Sequence, residues 1–141
     1  MSDVIVYDDG PSELAARLRE ALAAEGAPYV TGVDVRTKVP TGSDPYATSG
    51  PLVVVTQNAP GAARLDALNV VPVRVMVWHS TDDDAFDLAT LVHGHLRAHS
   101  GDVVRSVLRG TTPWVTADPD SGEPLAQFTV TANVRGRLHT A

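Results

Sequence analysis

The chain has 141 residues, 43% of them apolar and 20% charged, with a formal net charge of −6. That length suits one domain, residues 1–141, around one core, the apolar share excludes a disordered chain, and an acidic balance with scattered arginines argues against duplex DNA binding, which uses clustered cations to displace phosphate counterions. The absence of cysteine excludes disulfides, thiol nucleophiles and thiolate metal sites, while the lack of any apolar run near the ~20 residues of a bilayer-crossing helix, and the acids of Met1 to Gly10 where a signal peptide carries bases, predict a cytoplasmic product without a membrane partner.

In chain order, the first helix is predicted from about Pro11 to Glu25. Leu14, Leu18, Ala21 and Leu22 form one apolar stripe, Asp9 or Gly10 suits the cap, Pro11 suits the first turn, and Gly26 with Pro28 ends it. Val33, Val35, Thr37 and Val39 alternate with polar residues, the period of a strand with one buried face. The segment from Pro40 to Pro51, rich in Gly, Pro and Ser, reads as a flexible loop or arm. A loop of this length in a compact domain is either a mobile surface segment or one that orders against a partner.

Leu52 to Thr56 is a short β-branched run suited to a central strand covered on both faces, and Val71 to His79 reads as the next strand, with Pro72 marking an edge or a bulge. The second helix opens at Ser80 or Thr81, gathers Asp82, Asp83 and Asp84 in its first turn where acids suit the positive dipole end, and stops at Gly101. Its expected apolar line is Phe86, Ala89, Val92 and Leu96, widened by Leu88 and Leu91. Val103 to Leu108, Trp114 to Thr116 and Gln127 to Arg135 are the last three predicted strands, with Phe128, Val130, Ala132 and Val134 on one face. Asp118-Pro119-Asp120-Ser121-Gly122-Glu123-Pro124 is dense turn chemistry, which makes residues 114–135 a β-hairpin. The order implies an α+β fold: a mixed, mainly antiparallel sheet of about five or six strands with two main helices packed on it and a C-terminal hairpin.

No reactive constellation emerges from the sequence. His95 and His99 stand one helical turn apart and could share a metal, but no acid sits between them in the His-Glu-x-x-His manner, and His93 points roughly 200° away. His79 reads as a boundary residue at a strand end. The Asp82–Asp84 run lacks the spaced oxygen ligands of a calcium loop, and the turn around Asp118 lacks the distal Glu. Phosphate-cradling glycine loops and the Gly-x-Ser-x-Gly elbow are absent. Neither tryptophan has the basic surroundings of a base-stacking platform, so Trp78 and Trp114 read as core or interface anchors. No catalytic residue, metal ligand or cofactor is therefore expected.

The remaining pattern resembles the tail terminator proteins of long-tailed, siphovirus-type bacteriophages over nearly the whole chain. The resemblance rests on the Pro11-Ser12-Glu13-Leu14 helix opening and on Val73-Arg74-Val75-Met76-Val77-Trp78 leading into Asp82-Asp83-Asp84. It continues through Leu88-Ala89-Thr90-Leu91-Val92-His93 and through the closing hairpin with Gln127-Phe128-Thr129-Val130 and Val134-Arg135-Gly136. It implies a virion structural protein, first in the host cytoplasm and then at the head-proximal end of the tail. There a homo-hexameric ring caps the tail tube, ends its polymerisation and joins the head. The implied partners are further copies of the chain, the tail tube protein and the head–tail connector or neck protein, with DNA passing through unbound. Six copies at −6 each carry about −36, which suits a lumen that does not hold phosphates.

A closed ring needs two different complementary surfaces on each subunit. The residues nominated for such contacts are Pro40, Thr41, Asp44, Pro45 and Tyr46 of the arm and Asp118, Asp120 and Glu123 of the hairpin turn. A head–tail neck or tail-completion protein is the alternative reading within the same class. A small metal-dependent enzyme or ligand-binding domain using His79, His95 and His99 is the alternative outside it.

Overall fold

Two capped helices and eight strands make up the described part of the chain, residues 4–40, 50–64 and 68–139 of a computed structural model. The fold is α+β, as the sequence implies. Helix α1 (Gly10–Ala23) starts where the Asp9 carboxylate accepts the Ser12 N–H at 3.1 Å, and it buries Leu14, Ala15, Leu18 and Leu22. Helix α2 (Asp82–Arg97) is capped by the Thr81 hydroxyl, which accepts the Asp84 N–H at 3.2 Å, with all three aspartates in its first turn. Its buried stripe is Ala85, Leu88, Ala89, Val92 and Leu96. Phe86, expected on that stripe, is 45% exposed, because it lies about 100° round the helix from Ala85 and points past the edge of the buried face.

The strands are β1 (Val4–Tyr7), β2 (Asp34–Arg36), β3 (Leu52–Gln57), β4 (Ala62–Arg64), β5 (Leu68–Trp78), β6 (Val104–Arg109), β7 (Trp114–Ala117) and β8 (Pro124–His139). All join one sheet, in which only β2 and β3 run parallel. Its spine is the antiparallel pair β5 and β8, in register from Leu68 opposite Arg135 to Trp78 opposite Leu125. β3 and β4 together flank β5, and β6 and β7 together flank β8. Each flanking row carries a bulge: residues 58–61 lie opposite Val71 and Pro72, and residues 110–113 opposite Phe128 and Thr129. Four residues against two bend a row and sharpen its twist. Pro72, expected at an edge or bulge, sits opposite the first of these, where its missing N–H costs no ladder bond and its carbonyl takes the Asn58 N–H at 2.9 Å. In the second, Gly110 passes so close to the Thr129 carbonyl that a side-chain carbon there would lie 2.3 Å from its oxygen, which only glycine permits.

Side-chain alternation then assigns the two faces of the sheet. Val53, Val55, Val73, Val75, Val77, Ala126, Phe128, Val130, Ala132 and Val134 meet the buried stripes of both helices in one core. On the opposite face Leu52, Val54, Met76, Trp78 and Leu125 form a smaller buried cluster, confined to one end of the sheet. At the other end β8 runs on past β5, and its last residues pair with β1, Tyr7 opposite Gly136 through Val4 opposite His139, as a two-stranded ribbon.

The β2 edge is occupied by a helix side chain. Arg19 of α1 donates from Nε at 3.0 Å and from a terminal nitrogen at 2.8 Å to the Val35 carbonyl, which closes part of an edge that could otherwise recruit another strand. Arg19→Ala is expected to lower stability by about 1–2 kcal/mol, measured by urea unfolding, with an unchanged fold by circular dichroism.

Candidate functional site

The three histidines considered as metal ligands have each been given separate structural work. His79, 8% exposed, has Nε2 at 2.9 Å from the Tyr29 carbonyl, while its Nδ1 accepts the Ser80 N–H at 2.8 Å. It thereby ties the end of β5 to the 3-10 turn Pro28–Val30. His95 Nε2 lies 2.9 Å from Glu25 Oε1, joining α2 to the chain just after α1, and His99 Nε2 lies 3.1 Å from the Val104 carbonyl, joining α2 to β6. His95 and His99 border one small pocket between the helices, yet among the described residues no group of three His, Asp or Glu side chains converges on a common point. His93 faces inward, its ring edge-on to Phe128 at 5.0 Å and 86°. Burial, then the charge of Arg97, holds its pKa below the usual imidazole value.

Among the residues nominated for contacts, Pro40 is half-buried beyond the end of β2, whereas Thr41, Asp44, Pro45 and Tyr46 lie outside the described residues. Asp118 is turned inward and only 5% exposed. Its carboxylate accepts the Trp78 indole N–H through Oδ2, and the Asp120 and Ser121 N–H groups through Oδ1 at 2.8 and 3.2 Å. Its own backbone closes the turn through Asp118 N–H to the Glu123 carbonyl and Gly122 N–H to the Asp118 carbonyl, both 2.8 Å, with Gly122 at φ 74°. Asp118 is thus the hub of the β7–β8 turn, and its carboxylate offers nothing to a neighbour. Asp120 is exposed, and half-buried Glu123 accepts the Ser121 hydroxyl at 2.9 Å.

The features that sequence reasoning missed are apolar side chains left in water. Val4, Ile5 and Leu138 stand 48%, 40% and 63% exposed on the β1–β8 ribbon, and Leu108 and Trp114 stand 49% and 53% exposed on the outer β6–β7 row. Ile5 and Leu138 are directly opposed across the ribbon. The strand and turn signals did not show this, because burial there depends on how far β8 outruns its neighbours.

Two grooves accompany these side chains. One, beside the ribbon, is lined by Ile5, Leu68, Arg105, Ser106, Asn133 and Arg135. Arg105 is placed there by a register break in the β6–β8 ladder between Val104 and Ser106, which re-aims the residue between them, and Asn133 donates to Ser106 Oγ at 2.9 Å beneath it. The other lies on the outer side of α2, where exposed Phe86 and half-buried Leu91 meet Tyr29 between the carboxylates of Glu25 and Asp87. A third cleft, at the start of α1, is lined by Asp8, Asp9, Lys38, Thr56, Gln57 and Asn69 among others, without a nucleophile and base in hydrogen-bond contact.

None of the described helices is long and apolar enough to cross a membrane. No protein-family model matches this sequence, and no curated protein is significantly similar to it.

Proposed function

We propose that this chain is a structural subunit of a phage virion, a tail terminator. In this reading its copies form a ring on the end of the tail tube, stop tube polymerisation and present the surface to which the head–tail connector binds. One observation carries the proposal: large apolar side chains stand 40–63% exposed on the outer strands, Val4, Ile5 and Leu138 on the β1–β8 ribbon and Leu108 and Trp114 on the β6–β7 row. Apolar groups left exposed on outer strands suit burial against another protein. The histidines supply hydrogen bonds that hold elements together, so the reading asks for no chemistry from them. The overall pattern resembling tail terminators, the α+β fold and the two differing grooves agree with a subunit that meets unlike surfaces on its two sides.

Tail tube protein polymerised with and without this chain tests the reading. With it, tubes are expected to stop growing and to carry added density at one tip. Tubes that elongate equally in both samples, with bare ends, contradict it. Binding only to the head-side connector transfers the chain to the neck.

A further inference from the structure

The two grooves are opposite in charge and similar in character, and they lie in different layers of the molecule. The ribbon groove belongs to the strand layer. Ile5 and Leu68 form its apolar wall, with exposed Leu138 beside it, and its charged groups are Arg105 and Arg135. Among the described residues neither arginine has a carboxylate within ion-pair distance, whereas nearby Arg137 is held by Asp8 at 3.1 Å. The α2 groove belongs to the helix layer. Phe86 and Leu91 form its apolar wall, and it also holds Glu25, His95 and Asp87, of which Glu25 is paired with His95 at 2.9 Å while Asp87 has no cation within ion-pair distance among the described residues.

We infer that the ribbon groove of one copy of this chain docks on the α2 groove of the next, Ile5 and Leu138 covering Phe86 and Leu91 while Arg105 and Arg135 face Asp87 and Glu25. The inference rests on the ring reading above and names the contact that builds the ring. Charge complementarity selects a second copy as the occupant. Among the described residues the ribbon groove leaves Arg105 and Arg135 without a carboxylate and the α2 groove leaves Asp87 without a cation, and complementary potentials fix register and partner choice. The surfaces differ, so the contact is heterologous and propagates from copy to copy until a rotation closes it. The ribbon also gains from such a contact, because two strands with a wet apolar face are marginal without further cover.

A charge swap tests this in the full chain. Arg105→Glu with Arg135→Glu makes both grooves acidic, and Glu25→Arg with Asp87→Arg makes both basic. Each double variant alone is expected to need about tenfold or more higher protein concentration than wild type to self-associate, in sedimentation at low salt and in ring formation on tube ends. An equal mixture is expected to recover association, because alternating copies restore opposite charges at every contact and close any even-numbered ring. Thermal melts confirm that each variant is folded.

If either folded variant assembles alone like wild type, or the mixture fails to recover, the docking inference falls while the ring reading stands. The same holds if rings persist but no longer bind tubes, which assigns the groove to the tube protein. Wild type that never self-associates, in solution or on tubes, overturns both.

Discussion

Phe128→Ala is expected to cost about 3–5 kcal/mol of folding free energy, a large share of the 5–15 kcal/mol typical of a whole domain. Phe128 is 1% exposed and among the largest of the fully buried side chains. It lies on β8 opposite Val75 of β5, on the face that meets α2, where the edge-on His93 ring covers it. Truncation removes the ring's transfer free energy and leaves a cavity in a rigid pleat that cannot close around it. Urea unfolding followed by tryptophan fluorescence measures the loss. Phe128→Leu, which keeps most of the volume, is expected to lose well under half as much. Equal losses in the two variants contradict a packed site.

Asp118→Asn is the second large effect, expected at about 2–3 kcal/mol. One carboxylate oxygen takes the buried Trp78 indole N–H while the other takes two backbone N–H groups of the turn. An amide retains only one acceptor and turns a donor toward whatever the other faced, so at least one N–H loses its partner. Asp120→Asn, in the same turn but exposed, is expected to stay within about 0.5 kcal/mol of wild type.

The same carboxylate predicts a pH dependence. Burial pushes the Asp118 pKa up, but the hydrogen bonds from Trp78, Asp120 and Ser121 outweigh it and hold the group below the usual carboxylate range. In the unfolded chain it titrates at the ordinary value. Its contribution is therefore fully present above that value and is lost as the pH falls through the lowered folded pKa. The Asn variant should lack this part of the acid-side slope in unfolding free energy measured against pH.

Local chemistry makes much of this fold legible in the sequence. The caps at Asp9 and Thr81, the stripe Leu14, Leu18 and Leu22, the period-two run from Phe128 to Val134 and the turn from Asp118 to Pro124 all report interactions within a few residues of one another. What escaped depends on distant partners. β1 is four residues long and extended only because β8 continues to His139 to receive it. Ala62–Arg64 is exposed throughout and poor in strand formers, and it pairs because β5 begins at Leu68 and not at Val71. The alternation from Val33 to Val39 shrank to Asp34–Arg36, the three residues that find a partner in β3.

The candidate surfaces were less legible than the fold. Asp118 reads as a contact residue because it stands in dense turn chemistry, but Trp78, 40 positions away in sequence, draws it inward. Phe86 reads as core because it stands three residues before Ala89 on the apolar line, but the buried stripe runs through Ala85 beside it. The ribbon groove was invisible to periodicity. Arg105 enters it through a break in register, which no repeat of apolar residues announces.

The proposed role works through the shapes that the molecule offers to its own copies and to a tube end. Electron microscopy of the purified chain mixed with isolated tail tubes tests that most directly. It is expected to show a closed ring of six copies on a single tip of each tube, with the ribbon of every subunit against α2 of its neighbour. Bare tube ends beside free particles of one subunit's mass would contradict it.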